Sequence, residues 1–170
     1  MSPELAEAAR IAVAIVFVAA GVLKLRNLDA PAFSLQAVLP LNSASRRLVI
    51  AVTAALEISA AVLLLLPATI LFATPSFVLL VGFSAYLLVL RRRGATLGCG
   101  CLGDFGVAGP TTSLVRNVLL AGLLIVGLTG GGDDFNGWSL IPAVQLALLV
   151  VVVPEGVSTL RGLRAIAVPR

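Results

Sequence analysis

Five stretches of the chain stay apolar for the roughly 20 residues that a helix needs to cross a hydrocarbon layer. They run over about residues 5–25, 47–66, 70–90, 112–130 and 138–157. Each is continuous enough that only a helix satisfies its backbone in lipid. The pattern predicts an all-α integral membrane protein, with a four-helix transmembrane core bundle and a fifth transmembrane helix. The whole of 1–170 reads as a single membrane domain.

The connections differ in character. Residues 27–46 hold Pro31, Phe33, Leu35, Val38, Leu39, Pro40 and Leu41. That stretch is too polar and proline-broken to span, but apolar enough to lie in the interface. Pro67-Ala68-Thr69 reads as a tight turn, residues 91–111 as a glycine-rich loop, and Gly130 to Asp134 as an acidic one. Pro75 is expected to kink the third span, because it removes a backbone donor. Pro142 falls in the first turn of the fifth, where proline is tolerated. Ala54, Ala55, Ser59 and Ala60 in one span, and Gly122 and Gly127 in another, are read as close-packing positions. Trp138 and Tyr86 are expected at membrane edges.

Composition agrees with a lipid environment: 59% of the 170 residues are hydrophobic, 12% are charged, and the mean hydropathy is +1.11. A soluble domain carries about twice that charge. Histidine is absent, which excludes histidine-ligated haem or zinc and a histidine general base. Two cysteines alone cannot complete a four-cysteine metal site.

The net charge of +4 does not indicate nucleic acid, because the cations stand at the ends of apolar runs and not on a face interleaved with aromatics. With the N-terminus on one side, Arg10 falls there. Lys24, Arg26, Arg46, Arg47, Arg91, Arg92, Arg93, Arg116, Arg161, Arg164 and Arg170 fall on the other. The positive-inside rule then predicts a multi-pass protein of the cell membrane, N-terminus out and C-terminus in. A cleaved signal is not expected: Glu4 and Glu7 outweigh Arg10, and no cleavage site precedes Lys24 and Arg26.

Candidate chemistry sits in two places. The loop reads Gly98-Cys99-Gly100-Cys101-Leu102-Gly103. Thiols one residue apart close a small, strained and therefore oxidising disulfide, and Gly100 permits the torsions that ring requires. Arg91 to Arg93 and the start of the fourth span favour the reactive thiolate. The charge count puts this loop at the cytoplasmic side, where a resting thiol pair is reduced. Two small residues in a glycine-rich turn is the bland alternative.

Glu57 is the second place. It lies near the middle of a span, where an ionisable group is costly and a functional candidate. Lys24 and Arg116 are its candidate partners, either as a packing ion pair or with Glu57 neutral and relaying protons to a redox partner such as a quinone. Arg116 can snorkel to the inner interface, or aim at the thiols or at an anionic group. Asn117 can hydrogen-bond across helices.

Gly21-Val22-Leu23-Lys24-Leu25, Leu56-Glu57, Cys99-Gly100-Cys101-Leu102-Gly103 and Arg116-Asn117, in that order, resemble the MauE family of methylamine-utilisation membrane proteins, within the wider DoxX-like group. The likeness covers about residues 10–130, and the Cys-Gly-Cys piece ahead of a transmembrane Arg-Asn is its most specific part. Leu102 departs from it, standing where an aromatic is expected. The fifth helix (about 138–157) and the basic tail (158–170) lie beyond the matched core.

The resemblance implies a four-helix membrane core and a membrane thiol–disulfide redox role, in maturation of methylamine dehydrogenase or of other disulfide-containing partners. On that reading Cys99 and Cys101 exchange, while Glu57, Lys24, Arg116 and Asn117 support them. A protein redox partner is implied, and a quinone is a conceivable acceptor. Delivery of disulfides to an exported subunit would want the thiols outside, against the charge count; a loop re-entering the bilayer reconciles the two. Two other classes remain open: binding or transport of soft metal ions by the thiol pair, and a non-catalytic membrane scaffold for a partner enzyme.

Overall fold

The computed structural model describes residues 3–36, 38–66, 70–94, 109–129 and 140–167. Cys99, Cys101, Trp138, the Pro67-Ala68-Thr69 turn and the acidic loop lie outside them. Among the described residues six helices follow one another: α1 (Pro3–Arg26), α2 (Asp29–Gln36), α3 (Ser43–Leu64), α4 (Ile70–Arg92), α5 (Pro110–Thr129) and α6 (Leu140–Ala167). No strand occurs among the described residues. Four helices, α1, α3, α4 and α5, are long and apolar enough to cross a membrane, and α6 contributes a shorter apolar run, Leu140–Pro154. The chain is a multi-pass membrane protein with the four-plus-one arrangement that its hydropathy predicts.

Local chemistry sets the helix ends. Glu4 lies in the first turn of α1, and Lys24 and Arg26 in the last, each matched to the helix dipole. Asn42 caps α3, its side chain accepting from Ser45 N–H at 2.7 Å, and so satisfies an otherwise orphaned donor. Gly94 ends α4 with φ at +70° and donates to Arg91 C=O at 3.1 Å. That is a glycine-type helix stop. Pro110 opens α5, where the missing N–H costs nothing. Pro75 and Pro154 lie inside α4 and α6, and both helices continue through them.

α1 is the central helix. It packs against α3, α5 and α6. Ala6, Ala8, Ala9, Ala12 and Ala14 are buried with Val13 and Phe17. Burial runs around its circumference instead of along one stripe, as expected of a helix enclosed by others. Small alanines let three neighbours approach closely. Leu64, Leu80, Leu120 and Leu124 complete the core from α3, α4 and α5.

The small-residue expectation needs correction. Gly127 does pack: a Cβ there would lie 3.2 Å from Arg10 Cβ and 3.3 Å from Ala6 C=O. Ala54 and Ala60 are buried too. Ala55 and Ser59 face outward, and a Cβ on Gly122 would meet nothing within 4 Å. The cause is helix rotation. Residues one position apart on a helix point about 100° apart, so consecutive small residues cannot all reach the same seam.

The interfacial connection contains α2. Its start is marked by Asn27, whose side chain accepts from Ala30 N–H at 3.4 Å. Pro31, Ala32, Ser34 and Leu35 turn inward while Phe33 stays exposed. Asp29 pairs with Arg47 at 2.7 Å, joining the starts of α2 and α3. Both side chains are exposed, so the pair contributes at most about 1 kcal/mol.

Candidate functional site

Lys24 and Glu57 meet inside the bundle, each 2% exposed, and the Lys24 ammonium donates to Glu57 Oε1. Consecutive spans run in opposite directions, and helical side chains lean toward their own N-terminus. Lys24 therefore leans into the bilayer from the end of α1, and Glu57 leans back toward it from the middle of α3.

Gly21 and Ala54 set the approach. Each stands one turn before its charged partner. A methyl on Gly21 would come within 2.8 Å of Ile58 Cγ1 and 2.9 Å of Ala54 C=O. The Gly-x-x-Lys and Ala-x-x-Glu spacings thus form one device, in which small residues bring the backbones close so that the charges can pair.

Other groups surround the pair. Lys24 Nζ lies 4.7 Å from the Phe83 ring centroid, a cation–π distance. Arg116, 8% exposed, is near enough for its charge to act on both Lys24 and Glu57. α5 carries it into the bundle, beside Glu57. Asn117 is also buried, and its amide donates to Ser84 Oγ at 3.4 Å, while Ser84 donates to Leu80 C=O at 2.7 Å. Glu57, Phe83, Arg116 and Asn117 line a cavity of about 20 Å³, enough for one water. Glu57 Oε2 is buried and has no hydrogen-bond partner among the described residues.

Ion pairs in so apolar a setting are expensive to form and more expensive to break. Removing one partner of a buried pair costs about 3–5 kcal/mol, because the other charge stays behind. The four supporting residues named from sequence therefore form one cluster. Cys99 and Cys101 lie outside the described residues. Their connection leaves from Gly94, at the end of α4, and returns at Gly109, at the start of α5. By chain direction this is the end of the bundle where α1 finishes with Lys24 and where α5 begins, ahead of Arg116 and Asn117.

A second, larger cavity was not legible in the sequence. It holds about 360 Å³ at the seam of α3 and α4 and is closed on one side by α2. Lys24, Pro31, Leu35, Val49, Ile50, Thr53, Val78, Leu79, Gly82, Phe83 and Tyr86 line it. Tyr86 is no simple interfacial anchor: it is half-buried, and its hydroxyl lies 3.1 Å from Ser34 Oγ. Ser34 donates its one proton to Pro31 C=O at 2.8 Å, so Tyr86 is the donor to Ser34. No sequence signal distinguishes Phe83 or Gly82 from their apolar neighbours.

Among family models, the one described as Methylamine utilisation protein MauE matches residues 2–130. No curated protein and no solved structure matches the chain.

Proposed function

Because the chain belongs to the MauE family, whose model covers residues 2–130, we propose that it is a membrane thiol–disulfide redox protein acting through Cys99 and Cys101. The observation that carries this reading is the buried Lys24–Glu57 pair with Arg116 and Asn117 beside it, at the end of the bundle that the Cys-Gly-Cys connection joins. Ionisable groups inside a membrane protein mark functional sites. Here three of them gather inside the bundle whose α4 and α5 are joined by the segment that carries both cysteines. The Cys-Gly-Cys spacing favours a strained, exchangeable disulfide over a structural staple. Its substrate on this reading is a disulfide-containing protein partner, the small subunit of methylamine dehydrogenase being the family's own example. The charge distribution supports a cell-membrane location with the N-terminus outside and the cysteine connection on the inner side.

Thiol alkylation of the purified protein across a series of redox buffers tests this. The expected result is a reversible intramolecular couple, more oxidising than the about −300 mV below which structural disulfides lie, and absent from Cys99→Ser. Thiols that stay free at every potential would overturn it. Stoichiometric Cu(I) uptake by the same thiols would then favour the metal reading instead.

A further inference from the structure

We infer that the 360 Å³ cavity between α3 and α4 binds a neutral, membrane-soluble quinone, with the Lys24 ammonium donating to a ring carbonyl. The inference rests on the thiol-redox reading and names the electron acceptor that it requires.

The cavity has the size of a small-molecule site, roughly 300–1,000 Å³, and the usual make-up of apolar walls with few polar groups. Its opening faces outward: Val78 and Gly82 are exposed on the bundle surface, which in a membrane protein is the lipid side. A ligand therefore enters from the bilayer.

Three polar side chains line the cavity; Thr53 spends its proton on Val49 C=O at 2.8 Å, and Lys24 and Tyr86 select the ligand. Lys24 has three N–H donors; one is held by Glu57, and the residue lines the cavity. The Tyr86 proton is committed to Ser34, so its oxygen presents a lone pair. The site thus offers a donor from Lys24 and hydroxyl acceptors from Tyr86 and Thr53, which suit the carbonyl of a quinone and the hydroxyl of the quinol. Phe83 and Tyr86 supply aromatic faces for a flat ring. A fatty acid or other anionic head group fits less well, because the Lys24 ammonium already holds the Glu57 carboxylate.

The chemistry balances. The dithiol loses two electrons and two protons as the S–S bond forms, and the quinone gains both and leaves as the quinol. No further reactant is needed.

Decylubiquinone titrated into the full chain in detergent, followed by calorimetry, tests the site. Saturable binding at one per chain is expected. Gly82→Leu should weaken it at least tenfold with the melting temperature preserved, because Gly82 lines the cavity and a Cβ there meets nothing within 4 Å. An azido-quinone photolabel gives a second readout that needs no variant, with labels expected within residues 49–53 and 78–86. Binding that is non-saturable, labels elsewhere, or full displacement by phosphatidylglycerol would overturn the inference; the last would make the cavity a lipid site. The Cys99→Ser, Cys101→Ser double variant should bind as tightly as the parent. Quinone binding without a thiol couple would therefore sink the redox reading alone, and a couple without quinone binding would sink only this one.

Discussion

α3 has two seams, and they are built differently. Toward α1 it is sealed: Ala54 lies on Gly21 with no space for a methyl, and the one buried carboxylate of that helix is bonded across the joint. Toward α4 it is open, with a cavity of about 360 Å³. The difference follows from side-chain size. The α1 seam pairs glycine with alanine. The α4 seam sets Thr53 and Val49 against Val78, Phe83 and the unopposed Gly82, so the helices stand apart and α2 closes only one side. One helix can thus hold a charge rigidly on one face and border a ligand-sized space on the other, with Lys24 belonging to both.

The sealed seam breaks most readily through its charges. Lys24→Ala or Glu57→Ala should each cost about 3–5 kcal/mol, read as a lowered unfolding midpoint in detergent. Lys24→Met combined with Glu57→Leu should recover most of that loss, because neither charge is left alone. A double variant as unstable as the singles would show that the pair contributes more than mutual neutralisation. Next in size, Gly21→Ala should cost about 1–3 kcal/mol by overpacking. Gly122→Ala, on an open face, should stabilise by about 0.5–1 kcal/mol. Equal effects at the two glycines would remove the distinction between sealed and open faces. Tyr86→Phe deletes the hydrogen bond to Ser34 and should cost an amount of similar size, about 0.5–1.5 kcal/mol, with faster amide exchange confined to α2.

The spans were legible because lipid demands long apolar runs, and Glu57 was legible because a carboxylate in such a run has few explanations. The sequence offers Lys24 and Arg116 as its partners, and both lie beside it. What the chain did not disclose is rotation. In a soluble helix the polar stripe marks the outside, but here both faces are apolar: Leu71 is 75% exposed and Leu87 is fully buried, with nothing in composition to separate them. Hence Ala55, Ser59 and Gly122 looked like Ala54 and Gly127. For the same reason Tyr86 read as an edge residue, although it ties α4 to α2, and the cavity, defined by the register of four elements, left no trace. α2 is short and only partly apolar, so the chain showed its interfacial character but not its helix.

The central place of α1 has a consequence for biogenesis. α1 precedes every helix that encloses it. Glu57 is synthesised 33 residues after Lys24, an interval of about two to seven seconds at ribosomal speed. During that time Lys24 has no carboxylate from α3, and its long side chain keeps the ammonium near the headgroups. Only when α3 enters the bilayer can the lysine be drawn inward. The helix made early is therefore held by helices made later, and a ribosome stalled before residue 57 would leave it shallow and open to quality-control proteolysis.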